Sequence, residues 1–305
     1  MNILVTGGSG FIGLHLLKEL AKSRHRVAVI SKREIPELSS IKTILGNFNT
    51  LDKMHKKLID FNPEIIIHLS WQGIPDFSSN MCQKNLSDSI NFFDWIFENM
   101  ECKKIIMSGS CFEYGKKQGA CSESDSVSID SYFTWAKYSL NQYLSIRCAE
   151  MDIILNWFRI FYVYGPGQRE ESLIPLLIKS ICAKETPRIK TPMNKNDFIY
   201  VEDVARAFAI AVDADLPSGV YNLGSGTSTS VYDICKIVEK QFIGNGLISE
   251  QVLENGQSTE TVNFWADMEK TERALIISCD TSLEEGIEQQ IQSMKYDVIT
   301  HSFLV

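Results

Sequence analysis

The stretch Ile3-Leu4-Val5-Thr6-Gly7-Gly8-Ser9-Gly10-Phe11-Ile12-Gly13 decides the fold. Three apolar residues read as a strand and run into a glycine-rich turn, after which Leu14, Leu17 and Leu20 recur at helical spacing. Strand, turn and helix in that order form a cradle for a dinucleotide pyrophosphate. Gly7 and Gly10 let the backbone approach the anion, and Gly13 lets helix and strand pack closely. The helix N-terminus supplies free N–H groups.

Further strands follow at Val27-Ala28-Val29-Ile30, Ile65-Ile66-Ile67, Ile105-Ile106-Met107 and Ile153-Ile154-Leu155. None alternates with polar residues, which is the pattern of strands covered by helices on both faces. Helical spacing appears between them: Leu51, Met54, Leu58 and Phe61 share a face before Pro63, and Leu86, Ile90, Phe93 and Phe97 share another. The aromatics Phe92, Phe93, Trp95 and Phe97 read as helix core. This alternation predicts an α/β chain with a Rossmann-type, doubly wound parallel sheet. After residue 165 the rhythm loosens. Segments near 172–184 and 230–242 read as helices and 198–201 and 220–223 as strands, while 245–305 is polar and gives no clear pattern. The expected division is a dinucleotide-binding domain of residues 1–165 and 196–225, with a smaller α/β substrate lobe of residues 166–195 and 226–305.

The 305 residues are 44% apolar and 22% charged, as in an ordinary globular chain. Thirty Lys and Arg against 38 Asp and Glu leave a net charge of −8, so no nucleic-acid partner is expected. No apolar run approaches the ~18 residues of a membrane span, and the first residues resemble no signal peptide. A cytoplasmic protein is therefore expected. The eight cysteines lie in apolar contexts without a C-x-x-C pair, and the five histidines are scattered; free thiols and no metal site are expected.

The end of the second strand separates the two nicotinamide cofactors. An NAD site places a carboxylate there for the adenosine ribose. This chain has Ser31-Lys32-Arg33, a hydroxyl and two cations suited to a 2′-phosphate. NADP is the expected cofactor, with NAD as the alternative.

Several later segments extend the pattern. They are Ile65 to Ser70, Asn85-Leu86, Ser108-Gly109-Ser110-Cys111-Phe112-Glu113-Tyr114-Gly115, and Arg159 with Val163-Tyr164-Gly165-Pro166-Gly167-Gln168. Asp197-Phe198-Ile199-Tyr200-Val201-Glu202-Asp203-Val204, Tyr221-Asn222-Leu223-Gly224, Ala266-Asp267 and Ser282 to Ile287 complete it. In this order the chain, from Met1 to about Ile287, resembles the extended short-chain dehydrogenase/reductase family of nucleotide-sugar epimerases, dehydratases and reductases. The resemblance assigns the cofactor to Gly7, Gly10, Phe11, Ile12, Gly13, Ser31, Lys32 and Arg33, to Asn47 and Phe48 at the adenine edge, to Leu69 and Ser70, and to Lys137. It assigns the substrate to Asn85, Ser110, Tyr162, Gln168, Arg169 and Lys195. Ser110 is the implied catalytic hydroxyl. Helices around 86–97 and 132–150 resemble the pair through which this family forms homodimers.

One departure bears on the chemistry. The family's acid–base residue is a tyrosine one helical turn before a lysine, and in Ser131-Tyr132-Phe133-Thr134-Trp135-Ala136-Lys137 that position is Phe133. Three readings fit. Tyr132 substitutes, given an irregular start to the helix, because it otherwise lies about 140° round from Lys137. Ser110 carries the proton with a water or a substrate hydroxyl. Or the chemistry is blocked. Glu113 reads as a bystander on a loop in preference to a catalytic group. Cys111-Phe112 replaces the Asp-Glu pair of the 4,6-dehydratases, so that elimination lacks its groups. Tyr162 stands for the usual asparagine, and Asn196 for the usual arginine beside Asp197. The resulting expectation is an NADP-dependent reductase of a nucleoside-diphosphate 4-keto-6-deoxyhexose, with a deoxythymidine diphosphate sugar favoured. The alternatives are a 4-epimerase with bound NAD and a catalytically impaired dinucleotide-binding protein.

Overall fold

A computed structural model describes residues 1–242, 246–256, 261–279 and 281–302, with backbone alone from residue 295 onward. The few intervening and terminal positions of the expected substrate lobe lie outside the described residues. Seven parallel strands form the central sheet: β1 (Asn2–Thr6), β2 (Arg26–Ser31), β3 (Lys42–Leu45), β4 (Ile65–His68), β5 (Lys104–Ser110), β6 (Ile154–Ile160) and β7 (Gly219–Leu223). Their order is β7-β6-β5-β4-β1-β2-β3, so the chain winds outward from β1 in both directions. The strands lack polar alternation because each serves two cores. Ile3 and Val5 of β1 enter one hydrophobic cluster with α1 (Phe11–Ala21) and, later in the chain, the helix Val201–Asp213. Leu4 enters the other, with α2 (Leu51–Phe61), α3 (Ser79–Asn99) and α4 (Tyr132–Glu150). Ile66, Ile105 and Met107 face the second cluster, and Ile65, Ile67 and Ile106 the first.

The helix over 51–61 has the expected bounds, and the one expected over 86–97 extends to 79–99 because Ser78 caps it by accepting from the Met81 N–H. Strand β6 starts one residue later than expected and runs five residues further. The edge strand β3 was not read from the sequence: Lys42-Thr43-Ile44-Leu45 buries only Ile44 completely, so it carries little apolar signal.

A third core packs α5 (Leu173–Cys182), α6 (Val201–Asp213), α7 (Val231–Gln241), α8 (Leu247–Glu254) and the C-terminal helix Leu283–Ser302 around Tyr164, Phe198 and Tyr200. A shorter helix, α9 (Glu269–Leu275), precedes the C-terminal one, α10. Two-stranded pairs stitch the later segments together: Tyr162–Tyr164 with Phe198–Tyr200, Lys195–Asn196 with Thr229–Ser230, and Gly119–Cys121 with Phe264–Ala266. No helix among the described residues is long and apolar enough to cross a membrane.

At the end of the sheet remote from the glycine turn, the buried Lys104 ammonium donates to the carbonyls of Ala211, Val212 and Ala214 at 3.1, 3.3 and 2.7 Å. It thereby neutralises the negative end of α6 and satisfies its last acceptors. Lys104→Met leaves these carbonyls buried without a donor and is expected to lower unfolding free energy by about 2–3 kcal/mol. Urea denaturation measures this, and dinucleotide affinity is expected to stay unchanged because the site lies at the opposite edge.

Candidate active site

The C-terminal edge of the sheet carries the glycine turn. Gly7 adopts φ +73°, and a Cβ there would lie 2.7 Å from the Leu69 carbonyl carbon and the Ser70 nitrogen. A Cβ on Gly13 would lie 2.2 Å from the Gly7 oxygen. The loop is therefore closed by backbone against backbone, with Leu69 and Ser70 beside it, as the cofactor assignment requires. Gly10 caps α1 and has no side chain to occupy the first-turn N–H groups. The Phe11 and Ile12 side chains pack towards the third core, which leaves their backbone to face an anion. This cradle fits a dinucleotide pyrophosphate.

At the end of β2, Ser31 is buried and accepts from the Arg33 N–H at 3.3 Å, while Lys32 and Arg33 are exposed. Neither cation has an ion-pair partner among the described residues. Asn47 caps the short helix Phe48–Thr50 by accepting from the Asn49 N–H, and the Phe48 ring stacks 5.7 Å from His68. His68 is buried, with Nδ1 3.0 Å from Thr6 Oγ1, and burial drives its pKa down to about 3, so the ring is neutral.

Strand β5 ends at Ser110. Its Oγ accepts from the Phe112 N–H at 3.2 Å, which leaves the hydroxyl proton free for a ligand. Lys137 projects from α4 under this strand. Its Nζ donates to Ser108 O at 2.8 Å and sits 4.4 Å over the Trp71 ring and 5.9 Å from the Phe133 ring. Burial lowers its pKa to about 8, with the Glu113 carboxylate pulling the other way. Lys137 is thus tied to the strand that ends at Ser110, and the Phe133 ring, beside the ammonium, packs against those of Trp71, Phe77 and Phe112. Trp71 and Phe77 carry no sequence signal, because their irregular spacing forms no stripe, and only the fold collects them with Phe112. The Trp71 indole N–H is buried without a partner among the described residues.

Three expectations are corrected, those for Tyr132, Asn85 and Glu113, and the amide of Gln168 is partly committed within the chain. Ser131 caps α4 by accepting from the Thr134 N–H at 3.1 Å, so the helix starts regularly. Tyr132 is its first residue, 57% exposed, and lines a surface hollow with Phe77, Gln83, Ile129 and Trp135. The irregular start on which its catalytic role depended is absent. Asn85 commits both amide protons to Gln72 O and Met81 O and accepts from the Gln72 N–H, so it closes a loop and has no donor left for substrate. Gln168 donates to Val163 O and accepts from Gln290, tying the turn to α10. Glu113 is no bystander. Only 1% exposed, it accepts from the Ser110 N–H at 2.9 Å, Trp157 Nε1 at 3.0 Å and Arg159 Nε at 2.9 Å. It fixes the loop that presents the Ser110 hydroxyl.

Tyr162 follows β6 and stands edge-on to Phe112, with ring centroids 5.9 Å apart. Arg169 is exposed and Lys195 half-buried, and neither forms an ion pair among the described residues. Among the described residues no group of His, Cys, Asp and Glu is gathered as a metal ligand set, and the eight cysteines are unpaired.

Residues 3–224 match the NAD dependent epimerase/dehydratase family. The chain belongs to that family. It is 25% identical to the dTDP-4-dehydro-6-deoxyglucose reductase of Escherichia coli over 96% of this chain and 97% of that protein. The solved structure of UDP-glucuronic acid 4-epimerase from Bacillus cereus in complex with NAD superposes with a TM-score of 0.82 at 26% identity, covering 97% of this chain and 99% of the other. MoeE5 in complex with UDP-glucuronic acid and NAD gives 0.82 at 25% identity, covering 97% and 100%. The expected extended short-chain dehydrogenase/reductase membership and Rossmann-like fold hold, and the relatives of this chain modify nucleotide-linked sugars.

Glu113→Gln keeps an acceptor for Ser110 but leaves Arg159 as an uncompensated buried cation. The expected loss is about 3 kcal/mol of unfolding free energy, read by urea denaturation.

Proposed function

We propose that this family member reduces the ketone of a nucleoside-diphosphate 4-keto-6-deoxyhexose with NADPH, a deoxythymidine diphosphate sugar being the favoured substrate. The observation that carries the reading is the pairing of a retained Ser110 and Lys137 with a phenylalanine, Phe133, one turn before the lysine. An epimerase starts by removing a proton from a sugar hydroxyl and needs a base at that position. A reductase starts from a polarised carbonyl and needs only a donor. The E. coli relative, named as a reductase of a 4-keto-6-deoxy sugar on dTDP, agrees with the substrate class.

In this reading the glycine turn holds the pyrophosphate, and Lys32 and Arg33 hold the 2′-phosphate. Lys137 binds the nicotinamide ribose. When bound, the reduced nicotinamide supplies a hydride. The Ser110 hydroxyl donates to the carbonyl oxygen and polarises it, and the Lys137 ammonium adds positive charge where negative charge develops. Arg169 and Lys195, both without ion pairs among the described residues, serve the substrate diphosphate. The family resemblance places a homodimer interface on α3 and α4, which pack side by side within the chain. The second reading, a 4-epimerase with bound NAD, is favoured by the NAD held in the B. cereus structure.

Mixing the protein with dTDP-4-keto-6-deoxyglucose and following absorbance at 340 nm is expected to show stoichiometric NADPH consumption. Recycled cofactor without net consumption would support the epimerase instead. Arg33→Asp is expected to weaken NADPH binding at least tenfold while sparing NADH, measured by calorimetry, because it replaces a phosphate partner with a repelling charge.

A further inference from the structure

Reduction of a ketone to an alcohol requires a proton as well as a hydride, and Phe133 has none to give. Three hydroxyls were candidates at this edge of the sheet. Tyr132 faces the surface hollow. Ser110 is the hydroxyl assigned to polarise the carbonyl, so the proton calls for a second group. The third is Tyr162.

Its placement follows from the sheet register. Ser110 pairs with Ile160 across the parallel strands β5 and β6, and Tyr162 lies two residues further along the same chain. The Tyr162 ring meets Phe112 edge-on at 75°, and Phe112 meets Phe133 edge-on at 81° with centroids 6.1 Å apart. One aromatic ring therefore separates Tyr162 from the position where the resemblance places a phenol. Its hydroxyl is also uncommitted. The buried phenols of Tyr114, Tyr164, Tyr200 and Tyr221 donate to Asn222, Ser282 O, Gln289 and Pro217 O respectively. That of Tyr162 has no hydrogen-bond partner among the described residues. This half-buried phenol, two residues beyond the register partner of Ser110, has its O–H open to solvent or to a ligand oxygen.

We propose that Tyr162 is the catalytic proton donor of this protein, contacting the sugar C4 oxygen in place of the phenol missing at Phe133. The proposal rests on the reductase reading above. The Tyr162 O–H bond breaks as the oxygen–hydrogen bond of the product alcohol forms. The ketone is reduced by the hydride of the reduced cofactor, which is oxidised, and the phenolate regains its proton from water. Burial raises the Tyr162 pKa, which keeps the phenol protonated and fits a donor in reduction better than a base in oxidation.

The test compares the wild type, Tyr162→Phe, and the double variant Tyr162→Phe/Phe133→Tyr. With dTDP-4-keto-6-deoxyglucose and NADPH, Tyr162→Phe is expected to lower kcat at least 100-fold with the same thermal midpoint and NADPH affinity, and the double variant to recover at least tenfold of that loss. Calorimetry on the NADP-saturated proteins provides a readout besides turnover. Tyr162→Phe is expected to weaken dTDP-glucose binding about fivefold while leaving dTDP unchanged, the loss of one hydrogen bond to the sugar. A Tyr162→Phe protein that turns over within threefold of wild type, or that binds dTDP-glucose as wild type does, overturns the proposal. A wild type that consumes no NADPH overturns the reductase reading alone, and the calorimetric comparison still decides whether Tyr162 meets the sugar. A wild type that binds neither dTDP nor dTDP-glucose overturns both.

Discussion

The Glu113 carboxylate holds three groups from two strands at once: the Ser110 N–H, the Trp157 indole and the Arg159 guanidinium. Burying a charge this completely is unfavourable unless its lone pairs are filled and an opposite charge lies within reach, and both conditions are met here. The consequence is positional. Ser110 ends β5 in a conformation set by the same carboxylate that locks β5 to β6, so the hydroxyl is presented by a rigid corner and not by a mobile loop. Gly109 belongs to the same corner, because a Cβ there would lie 2.2 Å from Trp157 Nε1. Lys137 feels the carboxylate too, which offsets part of the burial that drives its pKa down.

A second buried carboxylate performs the matching task between the sheet and the third core. Asp197 accepts from the Ser225 N–H and hydroxyl at 2.6 and 2.7 Å, the Gly226 N–H at 3.1 Å and the Ala266 N–H at 3.0 Å. Burial raises its pKa despite these donors. Asp197 immediately precedes the strand Phe198–Tyr200, which pairs with Tyr162–Tyr164, and Tyr162 donates its N–H to Asp197 O at 3.0 Å. The backbone around Tyr162 is therefore anchored on one side by the extension of β6 and on the other by the Asp197 strand. Its ring is wedged among Phe112, Phe198 and Phe264. A side chain so constrained presents its one polar atom in a fixed direction, which is what a positioned donor requires.

Much of this was legible in the sequence. The Gly7, Gly10 and Gly13 spacing, the uninterrupted apolar strands and the helix over 51–61 are local patterns, and local patterns survive folding when tertiary packing agrees with them. The Phe133 departure was legible for the same reason, since it depends on a four-residue spacing along one helix. What stayed hidden depends on long-range partners. Glu113 has the look of a loop residue until Trp157 and Arg159, more than forty positions away, are brought against it. Asn85 and Gln168 carry motif-like positions, yet both amide protons of Asn85 go to Gln72 and Met81 and one of Gln168 goes to Val163, and no spacing rule predicts that. Strand β3 escaped because only Ile44 within it is fully buried.

The aromatic lining around Lys137 has its own chemical meaning. With Trp71 4.4 Å beneath the ammonium and Phe133 beside it, the charge is held by ring faces and one carbonyl, without a phenol hydroxyl in the arrangement. Such a lysine cannot tune a phenol at position 133, because there is none, so in the proposed reduction its positive charge is left to act on an oxygen of the substrate. Charge stabilisation of a developing alkoxide needs no proton to move and is strongest in a site from which water is excluded. Proton delivery then becomes a separate task, open to a residue on another strand. Splitting the two roles between a helix lysine and a strand tyrosine costs little when the substrate begins as a ketone. It costs much more when the reaction must begin by taking a proton away, because a donor whose pKa is raised by burial makes a poor base.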